Sequence, residues 1–210
     1  MKKTSTSQVV QSIPTNLVLF DFDGTLTRKD TLLEFIRFTK GTWTLYTQLL
    51  LLIPWLVGMK LKWLDNGAVK ERLLRRIFKG TSRRQFTEWG QAFCEANFTT
   101  LMRPDGLKKI NELQKTNTRI ILITASLDRW VQPFTDSIGI ELIATQLAFE
   151  QNKFTGYFST PNCYGTEKLT RLKTYLSTNT PPAFTMYGDS AGDETLYKAA
   201  QEYHHRYFTE

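Results

Sequence analysis

The chain has 210 residues, 41% of them apolar, a net charge of +7 and only two cysteines. Such a length allows one domain carrying a smaller insertion, and the composition excludes a collagen-like, disulfide-stapled or wholly disordered chain. Cys94 and Cys163 are far apart and form no CxxC pair. They read as small buried residues in a reducing compartment, with Cys163 close enough to Lys168 to line the rim of a site.

The start, Met1 to Gln8, is basic and polar, and only Val9-Val10 follow before Gln11. That is no signal-peptide core, so the start reads as a loose tail and the location as cytoplasmic. An apolar run of strand length, 17–22, then carries Asp21 and Asp23 into the turn Gly24-Thr25. Residues i and i+2 of a strand share one side, so both carboxylates are expected at one spot at the strand's end. Their repulsion calls for a cation or a shared proton. A buried strand ending in an ordinary Asp-Gly turn is the plainer reading of this motif alone.

From about Asp30 to Met102 the pattern is almost wholly helical. Leu49 to Met59 is the most apolar stretch, about 11 residues, against the roughly 20 that span a bilayer. Pro54 is expected to kink it and Lys60 and Lys62 to end it. Residues 60–84 then hold nine basic residues against Asp65 and Glu71, a surplus equal to the net charge of the whole chain. Val69, Leu73, Leu74, Ile77 and Phe78 form a helical apolar stripe there, with arginines on the other faces, and tryptophans stand at 43, 55 and 63. Two readings stay open. Either the stripe packs inward and the charges are solvated, or the segment 43–84 makes peripheral contact with an anionic membrane. Nucleic acid is not expected, because no binding motif accompanies the charge.

After Arg103-Pro104-Asp105-Gly106 come a helix around 105–116 and a strand 119–123 that runs into Thr124-Ala125-Ser126. A helix around 127–138, a strand around 140–144 and a hairpin within 148–158, turning near Gln151-Asn152-Lys153, follow. Lys168 opens the next helical pattern. A strand 183–187 leads into Gly188-Asp189-Ser190-Ala191-Gly192-Asp193, and His204 and His205 read as solvated residues near the end. Alternating strands and helices predict an α/β fold, a Rossmann-like parallel-sheet core with helices on both faces. Its ligands sit at the carboxyl ends of the strands, where every motif above falls. The core would comprise 1–29 and 103–210, and an α-helical cap the insertion 30–102.

The ordered set Asp21-x-Asp23-Gly24-Thr25, Thr124, Lys168 and Gly188-Asp189-x-x-x-Asp193 resembles the four motifs of the haloacid dehalogenase superfamily of phosphatases. Thr124-Ala125-Ser126 and Gly165-x-Glu167-Lys168 are similar to its phosphoserine-phosphatase-like branch. Asn162 to Lys168 and the apolar segment resemble lipid phosphatases of the phosphatidylglycerophosphatase C type. The resemblance implies a Mg²⁺-dependent phosphomonoester hydrolase in which Asp21 attacks phosphorus to give an aspartyl-phosphate and Asp23 serves as acid and base. Mg²⁺ would be held by the Asp21 carboxylate, the Asp23 backbone carbonyl and Asp189, with Asp193 close by. Thr124, the Ala125 amide and Lys168 would hold phosphoryl oxygens. The substrate implied is a membrane-proximal lipid phosphate, met by a cytoplasmic protein peripheral to the inner membrane face. A soluble phosphatase for a small metabolite such as phosphoserine is the alternative, and a catalytically silent binder of phosphorylated ligands or membranes a third reading. Asp23 argues against carbon–halogen cleavage, which has no alkoxide to protonate.

Overall fold

The computed structural model describes residues 16–61 and 63–209; the basic start and Lys62 lie outside them. Strand β1 (Asn16–Phe20) is followed by α1 (Thr31–Lys40), α2 (Thr42–Lys60), α3 (Asn66–Phe78), α4 (Arg83–Leu101) and α5 (Pro104–Gln114). Then come β2 (Thr118–Leu127), α6 (Asp128–Ile138), β3 (Glu141–Thr145) and the hairpin β4 (Leu147–Glu150) and β5 (Lys153–Phe158). The chain continues as α7 (Thr166–Tyr175), β6 (Phe184–Gly188), α8 (Glu194–Ala199) and β7 (Glu202–His205).

Five strands form one parallel sheet in the order β3-β2-β1-β6-β7, the Rossmann-like α/β core expected. β-Branched and apolar residues alternate through it. Val18, Phe20, Ile120 and Leu122 face one core, against α5 and α6, while Leu17, Leu19, Ile121 and Ile123 face another, against α7 and α8. Burial on both sheet faces requires helices on both. The order of strands reverses between β1 and β6, so the ends of these two neighbours form the crevice where such sheets place ligands.

Local signals set the helix starts. The Asp30 carboxylate accepts the Leu32 and Leu33 amides at 2.9 and 3.2 Å, Asp65 caps α3 through the Ala68 amide, and Ser82 caps α4 through the Gln85 amide. The hairpin turns at Gln151-Asn152, both at positive φ, as a two-residue hairpin loop demands. It also pairs outward: Gly80 donates to the Phe154 carbonyl and Phe154 to the Thr81 carbonyl, both at 2.9 Å, which fixes the bend between α3 and α4.

The helices of 30–102 are not packed only on themselves. Phe35 of α1 stacks on Trp130 of α6 at 4.6 Å, and Phe93 of α4 meets Phe134 edge-on at 5.9 Å. One apolar cluster therefore runs from the insertion into the sheet. Val69, Leu73, Leu74 and Phe78 are buried, and Ile77 partly, as the stripe on α3 predicts.

Three expectations are corrected. The 11-residue apolar run is part of a single 19-residue helix, α2, that continues through Pro54 to Lys60. Pro54 stands on an exposed side of α2, where the carbonyl it leaves free can meet water. Cys163 is fully buried on the α7 side of the sheet, not at a rim. His204 and His205 belong to β7, which pairs with β6; His205 is exposed as expected, but His204 is half-buried and stacks on Tyr187 at 4.4 Å.

Candidate functional site

The carboxyl ends of β1, β2 and β6 and the start of α7 converge on a cavity of about 460 Å³. Asp21 directly follows β1, and its amide donates to the Tyr187 carbonyl of β6 at 2.8 Å, which ties the two strand ends together. Its carboxylate Oδ1 accepts the Lys168 ammonium at 2.6 Å, and Lys168 donates equally to Asp193 Oδ1 at 2.6 Å. Lys168 is 2% exposed and Asp193 not at all. Burial would lower the lysine's pKa, but Asp21 and Asp193 outweigh it and hold the ammonium protonated. Burial pushes Asp21 up to about 7, against the pull of Lys168, and the Asp193 charge adds to the rise.

Asp193 serves the loop as well as the lysine. Its other oxygen accepts the Ser190 hydroxyl and the Asp189 and Ser190 amides at 3.2–3.3 Å. Those bonds curl the loop after β6 so that Asp189 returns toward Asp21. Gly24, at φ +78°, makes room for it, because a side-chain carbon there would collide with the Asp189 carboxylate. One carboxylate oxygen each from Asp21, Asp189 and Asp193 lies within 4.8 Å of the others. Three carboxylates around one ammonium leave an excess of negative charge, and an all-oxygen donor set suits a hard divalent cation such as Mg²⁺. The residues fit the ion.

Asp23 does not join this cluster. β1 ends at Phe20 and the backbone leaves extended geometry through the irregular turn Phe22–Leu26, so the expectation that both carboxylates project from one strand fails. Both still reach the cavity. Asp23 Oδ1 accepts the Thr31 amide at the start of α1 at 2.7 Å, and Oδ2 accepts the Ser126 hydroxyl. Burial, then the neighbouring Asp30 charge, raises its pKa, while the bonds from Ser126 and Thr31 restrain it. The arrangement separates a carboxylate fixed beside a lysine from one held by neutral donors.

Thr124, buried at the end of β2, accepts the Ser126 amide at 3.0 Å and with Ala125 forms the adjacent wall. Six of the seven sequence-selected residues, Asp21, Asp23, Thr124, Ala125, Lys168 and Asp189, thus line one space, and the seventh, Asp193, is fully buried behind Lys168. Sequence reasoning missed Ser126 as the partner of Asp23. It also missed Lys70, counted above within a solvated basic stripe. Lys70 reaches from α3 into the cavity and donates to the Ala125 carbonyl at 3.0 Å. Burial lowers its pKa, and Asp23, Asp30 and Asp21 oppose that. The only signal available was its place one residue past the buried Val69, on the inward side of the stripe.

The cavity is also lined by apolar side chains: Leu32 and Leu33 of α1, Leu49, Leu52 and Leu56 of α2, and Val69 of α3. Charged groups, Arg28, Lys29 and Asp30 among them, thus share one cavity with a set of leucines.

Removing the central cation tests this electrostatic reading. Lys168→Met strands Asp21 and Asp193 as buried charges and is expected to cost about 3–5 kcal/mol in urea unfolding. Asp21, whose folded pKa lies above the unfolded 3.8, gains stability by binding a proton. The deficit is therefore largest above pH 7 and shrinks as the pH falls; a deficit independent of pH contradicts the assignment.

Residues 18–196 match the profile of the haloacid dehalogenase-like hydrolases. The chain is 31% identical over 195 residues to Protein CicA of Caulobacter vibrioides, an overlap of 91% of this chain and 86% of that one. A Bordetella pertussis Tohama I protein of unknown function superposes with a TM-score of 0.77 at 18% identity, over 90% of this chain and 89% of the other. A phospho-aspartyl intermediate analogue of phosphoserine phosphatase does so with a TM-score of 0.60 at 18% identity, over 90% and 84%. With the profile spanning most of the chain and the carboxylates, lysine and threonine gathered at the strand ends, this protein belongs to the haloacid dehalogenase-like hydrolase family.

Proposed function

We propose that the protein is a Mg²⁺-dependent phosphomonoesterase that works through an aspartyl-phosphate on Asp21, with an amphiphilic lipid phosphate such as phosphatidylglycerophosphate as its preferred substrate. The observation that carries the reading is one cavity lined both by a carboxylate–lysine cluster and by leucines. Asp21, Asp189 and Lys168, the last also held by the buried Asp193, line it together with Leu49, Leu52 and Leu56 of α2.

The residues divide the work. Asp21, oriented by Lys168 and anchored on β6, attacks phosphorus in line, and the bond to the leaving oxygen breaks. Asp23 gives its proton to that oxygen and then takes one from the water that hydrolyses the aspartyl-phosphate, releasing inorganic phosphate. Thr124, the Ala125 amide and Lys168 hold the phosphoryl oxygens, so the group is positioned and its charge stabilised, which is most of what phosphoryl transfer needs. Asp21, the Asp23 carbonyl and Asp189 would hold Mg²⁺, with Asp193 behind them; the ion supplies charge neutralisation between the nucleophile and the phosphoryl group. Lys70 stands on the Asp23 side, where the leaving group departs, and would bind an oxygen of that group. The helices of 30–102 act as the cap, closing the cavity over the core formed by 1–29 and 103–210.

The likeness to phosphoserine phosphatase supports the chemistry at the fold level, and the leucines of the cavity favour hydrocarbon over the zwitterionic head of phosphoserine. With Mg²⁺ present, a generic aryl phosphate is expected to be hydrolysed, EDTA to stop it, and Asp21→Asn to lower kcat at least about 10³-fold with the fold intact by circular dichroism. Retention of most activity by Asp21→Asn removes the nucleophile and the mechanism with it. In a side-by-side assay a short-chain lipid phosphomonoester is expected to surpass phosphoserine in kcat/KM, and the reverse order would transfer the assignment to a small metabolite.

Two residues tune the step. Ser126→Ala removes a hydrogen bond to the ionised form of Asp23, so the acid's pKa rises. Because the leaving oxygen needs the protonated form, the alkaline limb of the kcat/KM profile should move up by about 0.5–1 pH unit; an unmoved limb assigns the acid elsewhere. Lys70→Ala is expected to lower kcat/KM about 10–10²-fold, the size of one charge-assisted hydrogen bond, with part of the loss recovered by Lys70→Arg.

A further inference from the structure

We propose that the outer face of α2 docks on an anionic membrane, the helix lying in the plane of the lipid head groups beside the cavity mouth. The docking rests on the exposed face of α2; only the identity of what the cavity then receives rests on the phosphatase reading.

One helix carries two apolar faces. Inward, Leu45, Leu52 and Gly58 are buried, and Leu49, Leu52 and Leu56 line the cavity. Outward, Trp43, Tyr46, Leu50, Ile53 and Val57 follow one another at steps of three and four, the spacing of a single helical stripe. They are 84, 55, 66, 48 and 50% exposed. Trp63, just beyond the helix end, is 79% exposed. A continuous apolar stripe of this kind on an otherwise packed protein marks an interaction surface.

Charge selects the occupant. α2 contains no Asp or Glu. The Arg72 guanidinium lies 3.8 Å over the Trp55 ring and Arg76 donates to Gln48 at 2.8 Å, which sets two arginines of α3 along the row Gln48-Leu51-Trp55, the other flank of the exposed face, where Leu51 is also exposed. Lys60 is exposed at the end of the helix, while the Lys40 ammonium near its start is drawn over the Phe78 and Trp89 rings. A second copy would bring the same positive border against this one. An anionic lipid surface takes apolar side chains, interfacial tryptophans and basic residues together. By length and composition α2 is also able to cross a membrane, yet its inner side is packed on α1 and α3 as part of the protein interior, which leaves one face for lipid. Docked in this way, Leu50 and Ile53 enter the lipid while Leu49 and Leu52, one turn-face away, line the cavity, so an amphiphile's chain stays in apolar surroundings as its phosphate reaches Asp21.

The test is co-sedimentation of the full chain with vesicles of phosphatidylcholine alone and of phosphatidylcholine with phosphatidylglycerol at 3:1. Binding is expected to the anionic vesicles, to weaken by about fivefold for each basic residue reversed in Lys60→Glu and Arg76→Glu, and to weaken as salt rises. The triple variant Leu50→Glu/Ile53→Glu/Val57→Glu is expected to lose at least tenfold in affinity while hydrolysing a soluble aryl phosphate as before, since none of the three lines the cavity. The proposal is overturned by equal affinity for both vesicles, by undiminished binding of the triple variant, by membrane attachment that resists both high salt and alkaline extraction, or by a dimer in light scattering that the same variant dissolves. Soluble-substrate activity with no vesicle binding ends the docking proposal alone. Vesicle binding with no hydrolysis of any phosphomonoester ends the phosphatase reading alone.

Discussion

Lys168 holds the site together by standing between two carboxylates that would otherwise repel each other. Its ammonium, without solvent access, lies 2.6 Å from both Asp21 and Asp193. A buried pair is costly to assemble and costlier to break, so the three groups fix one another. Each comes from a different element: Asp21 ends β1, Lys168 lies in the first turn of α7, and Asp193 closes the loop after β6. The lysine thus joins 147 residues of sequence separation into one electrostatic unit. Asp193 passes the constraint on through the Ser190 hydroxyl and two loop amides, and the loop in turn presents Asp189. What is left over is negative charge, and that residue of charge is what a divalent cation and a phosphoryl group would share.

Asp23 shows how a turn separates two chemically identical side chains. Had β1 continued in extended geometry, Asp21 and Asp23 would face the same lysine and share its charge. The turn at Phe22–Leu26, with Gly24 at positive φ, instead gives Asp23 to Ser126 and to the first amide of α1. Asp21 is thereby bound to a cation and Asp23 to neutral donors. Pairs of carboxyl groups in unlike surroundings are how one site carries both an ionised and a protonated acid near neutral pH.

The sheet was legible in the sequence because its strands are buried on both faces and so appear as short β-branched runs, 17–20 and 119–123 most clearly. The motif residues were legible because carboxylates, hydroxyls and a lysine at strand ends are few and ordered. β7 was not: Glu202-Tyr203-His204-His205 is an edge strand with one neighbour and no apolar run, and only its pairing with β6 makes it a strand. Asp23's departure from the strand was hidden because a glycine fixes where a turn falls but not which way the residue before it points. Lys70 was hidden by its company. Among the basic residues of 60–84, composition does not mark Lys70 as one that reaches the cavity; the tertiary placement of α3 against α2 and β5 decides it.

The insertion divides by what its helices touch. α1 and α4 enter the aromatic cluster around Trp130 and Phe134 and are continuous with the core of the sheet. α2 buries only Leu45, Leu52 and Gly58 and is the least embedded of the long helices. Packing of the first pair gives the site a rigid floor, since a dense aromatic cluster deforms little. The least embedded helix also lends Leu49, Leu52 and Leu56 to the cavity, beside Leu32 and Leu33 of α1 and Val69 of α3. A site held within fractions of an ångström and a wall that admits a variable apolar group make opposite demands on packing; α1 stands at their junction, with Phe35 in the aromatic cluster and Leu32 and Leu33 at the cavity, while α2 touches the cavity from a helix that buries little else.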